Sequence, residues 1–303
     1  MNGNALSKYQ MLAPLYEVVT PVRQKVRADA DWIASLGPDW ADDIMSVEAT
    51  DRFHAKQGRS IARWVVPNGP TVYLKRHFVL PRKMGFLARW FPGRNWSPGM
   101  QEADRLTWVA RQGIFVPRVV AAGEFLGQNS TLQSFIALEE LKGMIAVHEA
   151  IPQASRTLNS AELAKLKRGM VKEMARLTRQ LHSLRAFHKD LYLCHFYVYE
   201  RDLEQVPDDW TGRIAMIDFH RLGRYNLFWM KWQAKDLAQL LYSTFDVEGI
   251  TVRDRLRFWK CYYHGDWSGV MRPPGIVKYT ATVKAQRYYS HNQKLAASQE
   301  SGV

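Results

Sequence analysis

Hydrophobic and polar positions change period several times along this chain, and each change predicts an element. Between Ser46 and His77, "RSIARWVV" and "TVYLKRH" alternate β-branched or aromatic residues with polar ones around "PNG", which predicts a β-hairpin. "VPRVVAAGEFLG" and "STLQSFIALEEL" read as two further strands of the same small antiparallel sheet. Between the two pairs, "WSPGMQEADRLTWVARQG" offers Ser97 as a cap, Pro98 in the first turn and Gly113 as a stop, the marks of a helix. From Asn159 the period becomes helical. Leu163, Leu166, Met170, Met174, Leu177, Leu181 and Leu184 recur at steps of three and four, so a long amphipathic helix follows, with Asn159 and Glu162 as its capping box. "HFYVYE" and "IAMIDF" read as short strands beyond it, and the remainder is mostly helical in pattern. Strands first and helices afterwards predict an α+β protein of two lobes. The expected division has residues 1–45 as an extension without a clear pattern, 46–142 as the sheet lobe and 143–303 as a mainly helical lobe with basic C-terminal helices.

With 303 residues, 47% of them hydrophobic, the chain can bury a substantial core, which argues against disorder. Cys194 and Cys261 are too few for a disulfide framework and predict a reducing compartment. The sequence shows neither a secretory-type start nor an apolar run near the roughly 20 residues that cross a bilayer, so the expected location is the cytosol or the cytoplasmic side of a membrane. Charge adds to this picture. Lys and Arg number 42 against 29 Asp and Glu, and the resulting +13 suits nucleic acid, an anionic membrane or a phosphorylated substrate. Nothing in the sequence has zinc-finger spacing, a ribonucleoprotein signature or a basic region leading into heptads, so nucleic acid is not an expected partner. The segment Lys75 to Trp96 interleaves Arg82, Lys83, Arg89 and Arg94 with Phe86, Trp90, Phe91 and Trp96, without one acidic residue. It is expected to dock on an anionic membrane or on an acceptor's lipid and phosphate groups, each basic group contributing on the order of 1 kcal/mol. A packed, solvated loop is the alternative.

The densest chemistry lies in "FHKDLYLCHFYV", Phe187 to Val198. Zinc could be drawn on His188, Cys194, His195 and His220, but no HExxH or paired CxxC supports it. A redox role for Cys194 lacks a nearby partner cysteine, and a phosphodiesterase of the HKD type needs a wider spacing and a second copy. Phosphoryl transfer requires a cation for the nucleotide phosphates, an acid to hold that cation, a carboxylate at the acceptor hydroxyl and oxygen ligands for magnesium. Lys75, Glu102, Asp190, and Asp218 with His195 come in that order. Alternation would place Lys75 with Tyr73 on the strand face opposite Val72 and Leu74. Asp218 ends the apolar strand "IAMID", where a carboxylate is costly unless it meets a cation or strong donors.

"HKDLYLCHF", "MIDFHR" and "AKDLAQLLYST", three blocks in one order, together resemble the lipopolysaccharide core heptose/Kdo kinase family over about Ser46 to Cys261. The resemblance implies a protein-kinase-like fold in two lobes, ATP and Mg2+ as cofactors, and an acceptor in the lipopolysaccharide core and lipid A. It implies that Asp190 is the catalytic base, Asp218 the metal-binding aspartate, and Lys75 and Glu102 the phosphate-positioning pair. By the same resemblance the backbones of Glu139 and Leu141 in "FIALEEL" meet adenine, and Asp236 braces the catalytic loop. His195 stands where ordinary protein kinases place a metal-binding asparagine, either as ligand or as an orienter of Asp190. His220 replaces the glycine after "DF". "DRFHAKQGRSIARW" offers Gly58 alone as a phosphate-loop glycine. A kinase for another small molecule or a protein, and a non-catalytic kinase-like envelope scaffold, are the competing readings.

Overall fold

The computed structural model describes residues 17–47, 50–54, 58–267 and 272–300. Two compact units divide the chain. One comprises residues up to Arg111 together with Pro117–Leu141, and the other Gln112–Val116 together with the residues from Lys142 onward.

The first unit is an antiparallel sheet. Its strands are β1 (Arg23–Ala28), β2 (Thr50–His54), β3 (Arg59–Val65), β4 (Thr71–His77), β5 (Val119–Leu126) and β6 (Leu132–Glu139), in the order β1-β5-β6-β4-β3-β2. β3 and β4 form the hairpin their alternation predicts, pairing Ile61 with Lys75 and Val65 with Thr71. Val72 and Leu74 are buried and Tyr73 is exposed on the opposite face. The alternation breaks at the end of β4, where Arg76 is also buried. Its guanidinium donates to the carbonyls of Met45 at 3.0 Å and Val47 at 2.8 Å, which is how a cation is kept inside a core.

Residues 23–45 join this sheet rather than standing apart from it. β1 pairs along β5, and helix α1 (Ala30–Leu36) is capped by Asp29, whose carboxylate accepts from Trp32 N at 2.9 Å. Trp32 is fully buried and meets Trp64 and Trp40 edge-on, Trp40 opening the single turn α2 (Trp40–Asp43). "RQKVRA" hides as a strand because it is an edge: one valine among cations, the composition that keeps exposed edges from pairing further. Met1–Tyr16 of the expected extension lie outside the described residues.

Helices α3 (Arg82–Trp90) and α4 (Pro98–Arg111) follow. α4 lies so close to β6 that a Cβ at Gly99 would stand 2.5 Å from the Phe135 carbonyl oxygen, so this position admits only glycine.

The second unit is mainly helical. β7 (Met144–Ala146), β9 (Phe196–Tyr199) and β10 (Ile214–Met216) form a small sheet, and β8 (Ala186–Phe187) pairs with β11 (Gly223–Arg224). The helices are α5 (Val147–Thr157), α6 (Ser160–Ser183), α7 (Arg201–Glu204), α8 (Trp229–Tyr242), α9 (Val252–His264) and α10 (Gly275–Glu300). α6 has the capping box read from the sequence: Asn159 Oδ1 accepts from Ala161 N and Glu162 N at 3.0 Å, and Glu162 accepts from Asn159 N at 3.4 Å. Its Leu166, Met170, Met174, Leu177 and Leu181 are buried. A second core gathers Leu237, Trp259, Tyr262, Trp267, Val277 and Ala281 around α8 to α10. Gln112–Val116 belongs here because Phe115 O accepts from Met216 N at 2.9 Å, extending the edge of β10.

Candidate active site

In the first unit Lys75 and Glu102 come together. Lys75 projects from β4, Glu102 from the first half of α4, and Lys75 Nζ donates to Glu102 Oε1 at 2.7 Å. Glu102 is buried and Lys75 is about one-fifth exposed, so the carboxylate fixes an ammonium that still reaches solvent. Glu139 ends β6 and does not join this pair: its side chain accepts from Arg118 Nε at 2.7 Å while its N–H bonds Arg118 O at 2.9 Å. Leu141 is the last residue of the unit. Of the stretch "DRFHAKQGRSIARW", residues 55–57 lie outside the described residues; Gly58 has φ +58° and its carbonyl accepts from Phe78 N.

In the second unit Asp190, His195 and Asp218 come together around a loop fixed from beneath. Asp236, fully buried on α8, accepts from His188 N and Lys189 N, each at 2.7 Å, and its Oδ2 lies 3.3 Å from His182 Nε2. Lys189 has φ +70°, a left-handed turn that the two N–H bonds hold in place. His188 Nε2 donates to Ile217 O at 2.9 Å, and its ring packs on Phe219 with centroids 4.7 Å apart. Complete burial pushes the His188 pKa down, so the ring is neutral and acts as a spacer between the loop and the "IDF" segment.

The next layer carries the carboxylates. His195 Nδ1 donates to the backbone carbonyl of Asp190 at 2.7 Å, which turns its Nε2 toward Asp218 Oδ2, 3.6 Å away. Asp218 sits at φ +65°, ψ +52°, a conformation that costs an aspartate free energy and clusters at functional sites. His220 Nδ1 lies 2.7 Å from its other oxygen. The Asp190 carboxylate, about one-seventh exposed, accepts from Arg221 at 3.0 and 3.1 Å, with Lys235 Nζ 3.8 Å away. Lys235 also donates to the Lys189 carbonyl, and its pKa is lowered by burial, against the opposing pull of Asp190. Gln239 Nε2 donates to Tyr192 OH at 2.8 Å and approaches Asp190 at 3.4 Å.

Arg221, Lys235 and Gln239 were not among the residues the sequence pointed to. Arg221 stands in a quoted block, "MIDFHR", yet its pairing with Asp190 closes only in three dimensions. Lys235 and Gln239 stand in another, "AKDLAQLLYST", four residues apart and so on one face of α8, a spacing that could have pointed to them.

The donor set fits a hard cation in part. Among the described residues no group of three or more His, Cys, Asp and Glu is arranged to hold a metal. Asp218 supplies carboxylate oxygen and His195 a nitrogen lone pair when Nδ1 carries the proton, so further oxygens from phosphate or water would complete a magnesium shell. Cys194 is half-buried, and burial raises its thiol pKa, the opposite of what a thiolate ligand needs.

A sheet unit that fixes a lysine by a helix glutamate, and a helical unit that fixes two aspartates on a histidine-braced loop, define an α+β phosphotransferase of protein-kinase-like fold. The chain belongs to the lipopolysaccharide kinase (Kdo/WaaP) family, whose model matches residues 89–262. That range contains Glu102, Asp190, His195 and Asp218, while Lys75 lies before it. The chain is 30% identical over 194 residues to the lipopolysaccharide core heptose(I) kinase WaaP of Pseudomonas aeruginosa PAO1, covering 64% of this chain and 70% of that one. It is 29% identical over 169 residues to the corresponding kinase of Escherichia coli K12, covering 54% of this chain and 59% of that one. A solved structure, WaaP in complex with acyl carrier protein, superposes with a TM-score of 0.62 at 25% identity, covering 88% of this chain and 99% of that one. The chain is accordingly a kinase, and kinases of this family use ATP. Among the described residues no helix is long and apolar enough to cross a membrane.

Proposed function

We propose that this kinase transfers the γ-phosphoryl group of ATP to a sugar hydroxyl, on heptose or Kdo, in the lipopolysaccharide inner core at the cytoplasmic face of the inner membrane. The observation that carries the reading is the Asp190 loop, in which one carboxylate at the rim is tied through His195 to a second, strained one at Asp218. Asp190 orients the acceptor hydroxyl and receives its proton as the oxygen–phosphorus bond forms, while the bond from the γ-phosphorus to the β-phosphate bridging oxygen breaks and ADP leaves. A loose phosphoryl transition state asks little basicity of this group, so a carboxylate already neutralised by Arg221 suffices to align the hydroxyl. Arg221 is half-exposed, which lets it turn from Asp190 to the incoming phosphoryl oxygens. Lys75, held by Glu102, binds the α- and β-phosphates, and the backbones of Glu139 and Leu141 meet the adenine. Asp218, with His195, would hold Mg2+, which would supply positive charge against that developing on the phosphate oxygens.

An acceptor beside a membrane fits the exposed face of α3, where Phe86, Trp90 and Phe91 are each more than half exposed beside Arg82, Lys83 and Arg94. The seat of that helix is its other side: a Cβ at Gly85 would overlap the Ser130 carbonyl. The deciding assay is transfer of labelled γ-phosphate to isolated core oligosaccharide and to lipid-linked acceptor. Wild-type chain is expected to label the core sugar and Asp190→Ala to label it at least about 100-fold more slowly; labelling by Asp190→Ala at a near wild-type rate defeats the mechanism, and labelling of no core sugar defeats the substrate.

A further inference from the structure

The segment between Asp218 and Asp236 contains a feature that phosphoryl transfer itself does not use. Over the seventeen residues "FHRLGRYNLFWMKWQAK" there is no acid, while Arg221, Arg224, Lys231 and Lys235 supply cations. At its centre Leu227 and Phe228 are 78% and 80% exposed, more than any other large hydrophobic side chain among the described residues, and Met230 beside them is 42% exposed. Isolated exposed leucines are ordinary, but a contiguous apolar tip rimmed by cations marks an interaction surface.

The tip is held out by the backbone. Phe228, the residue before α8, has φ +55° and ψ +23°, a left-handed conformation that an aromatic residue adopts only when its surroundings impose it. Those surroundings are rigid on both sides. Upstream, β11 pairs with β8 and Tyr225 N donates to Arg185 O at 3.0 Å. Downstream, the Arg185 guanidinium lies 3.9 Å over the Trp229 ring, and Tyr225 stacks on Trp232 at 5.0 Å. Lys189, next to Asp190, donates to Tyr225 OH at 3.1 Å. One short stretch of chain therefore carries the apolar tip at its middle, a ligand of Asp190 at one end in Arg221, and another in Lys235 at the other.

We infer that Leu227 and Phe228 insert into the interfacial zone of an anionic lipid bilayer, with Arg224 and Lys231 lying against lipid phosphates. The cations and the absence of acids select a negatively charged surface, and the aliphatic and aromatic pair selects one with an apolar layer beneath the charge. This inference rests on the proposed activity in one respect: it places the acceptor-binding loop at the surface in which a lipid-linked sugar is anchored. Insertion would then fix the height of Asp190 relative to the headgroups, so that sugars attached to lipid reach it without leaving the membrane.

The test is co-sedimentation of the full chain with vesicles of phosphatidylglycerol and phosphatidylethanolamine, using Leu227→Ser with Phe228→Gly. Glycine suits the left-handed backbone at position 228, so the aromatic ring is removed without a folding penalty, and the melting temperature is expected to hold or rise. Vesicle affinity should fall at least ten-fold in this double variant, while ATP affinity is unchanged. Unchanged vesicle affinity overturns the inference, as does a loss seen only on replacing Arg224 and Lys231 by serine, which would mean charge without insertion. A wild-type dimer that the double variant turns into a monomer, with no vesicle binding by either, would assign the tip to a second copy and equally overturn it. Failure of every core sugar to accept phosphate would remove the proposed substrate while leaving the vesicle result intact.

Discussion

The base of the Asp190 loop and its rim are built on opposite rules. At the base, Asp236, His182 and His188 are almost wholly buried, and the Asp236 oxygens meet two backbone N–H groups and an imidazole. At the rim, Asp190 meets Arg221 and Lys235, long side chains partly open to solvent, and the buried amide of Gln239. Short buried groups that hold backbone N–H groups and carbonyls away from water cannot move without leaving those polar atoms unpaired, so they set the shape of the loop. Long cationic side chains in water exchange partners at little cost, so they can hand Asp190 over to a substrate. Precision and adaptability are thus separated by a single layer of residues.

Removing Asp236 tests the base most severely. Asp236→Ala strips the acceptor from two N–H groups, each costing about 1–3 kcal/mol when left unpaired. A large drop in melting temperature, with phosphotransfer lost alongside it, is the expected outcome; a stable, active variant would mean that the base does not shape the loop. Asp190→Ala should separate the two layers, lowering turnover about 100- to 10,000-fold while the melting temperature stays near wild type. Glu102→Gln probes the ion pair of the sheet unit. It leaves Lys75 charged but no longer fixed, and a rise of about ten-fold in KM for ATP is expected, worth about 1.4 kcal/mol; unchanged KM would remove this pair from phosphate binding. Arg221→Gln should have a smaller effect, a few-fold on turnover, because Lys235 stays close to Asp190.

A further effect is one of pH. The His188 pKa is lowered in the folded chain by burial, so below the ordinary value of 6.5 the unfolded chain takes up a proton that the folded chain refuses. Stability on this account is full above about pH 6.5 and is lost as the pH falls toward the folded pKa, by at most about 1.4 kcal/mol per pH unit. Thermal melts at several pH values should slope less in His188→Asn than in wild type between pH 6.5 and 5.

Much of the fold was legible because its signals are local. The 3.6-residue repeat and the Asn159–Glu162 box define α6 without help from the rest of the chain, and the alternation in "TVYLKRH" correctly sets Lys75 opposite Val72 and Leu74. The sequence order of Lys75, Glu102, Asp190 and Asp218 pointed to the chemistry, and the structure closes the contact of Lys75 with Glu102 and, as the family resemblance implied, sets Asp236 beneath the loop. What was not legible depends on pairing at a distance. β1 lacks an apolar pattern because one side of it faces solvent, and Arg76 breaks the hydrophobic alternation because carbonyls of a distant turn receive it. Arg221 reaches Asp190 across thirty-one positions of sequence, and no period encodes such a closure.

Neither unit is continuous in sequence, because Gln112–Val116 is built into the helical one although the chain then returns to β5 and β6 of the sheet. This has a consequence for birth on the ribosome. The sheet's own strands can pair as soon as β6 has emerged, but Phe115 must wait for Met216, about a hundred residues later and about 5–20 s at ordinary synthesis rates. For that interval a short apolar stretch stands without its neighbours in the middle of an otherwise finished sheet. Synthesis pauses or chaperone binding after Leu141 would therefore act on a part of the early product that cannot yet fold.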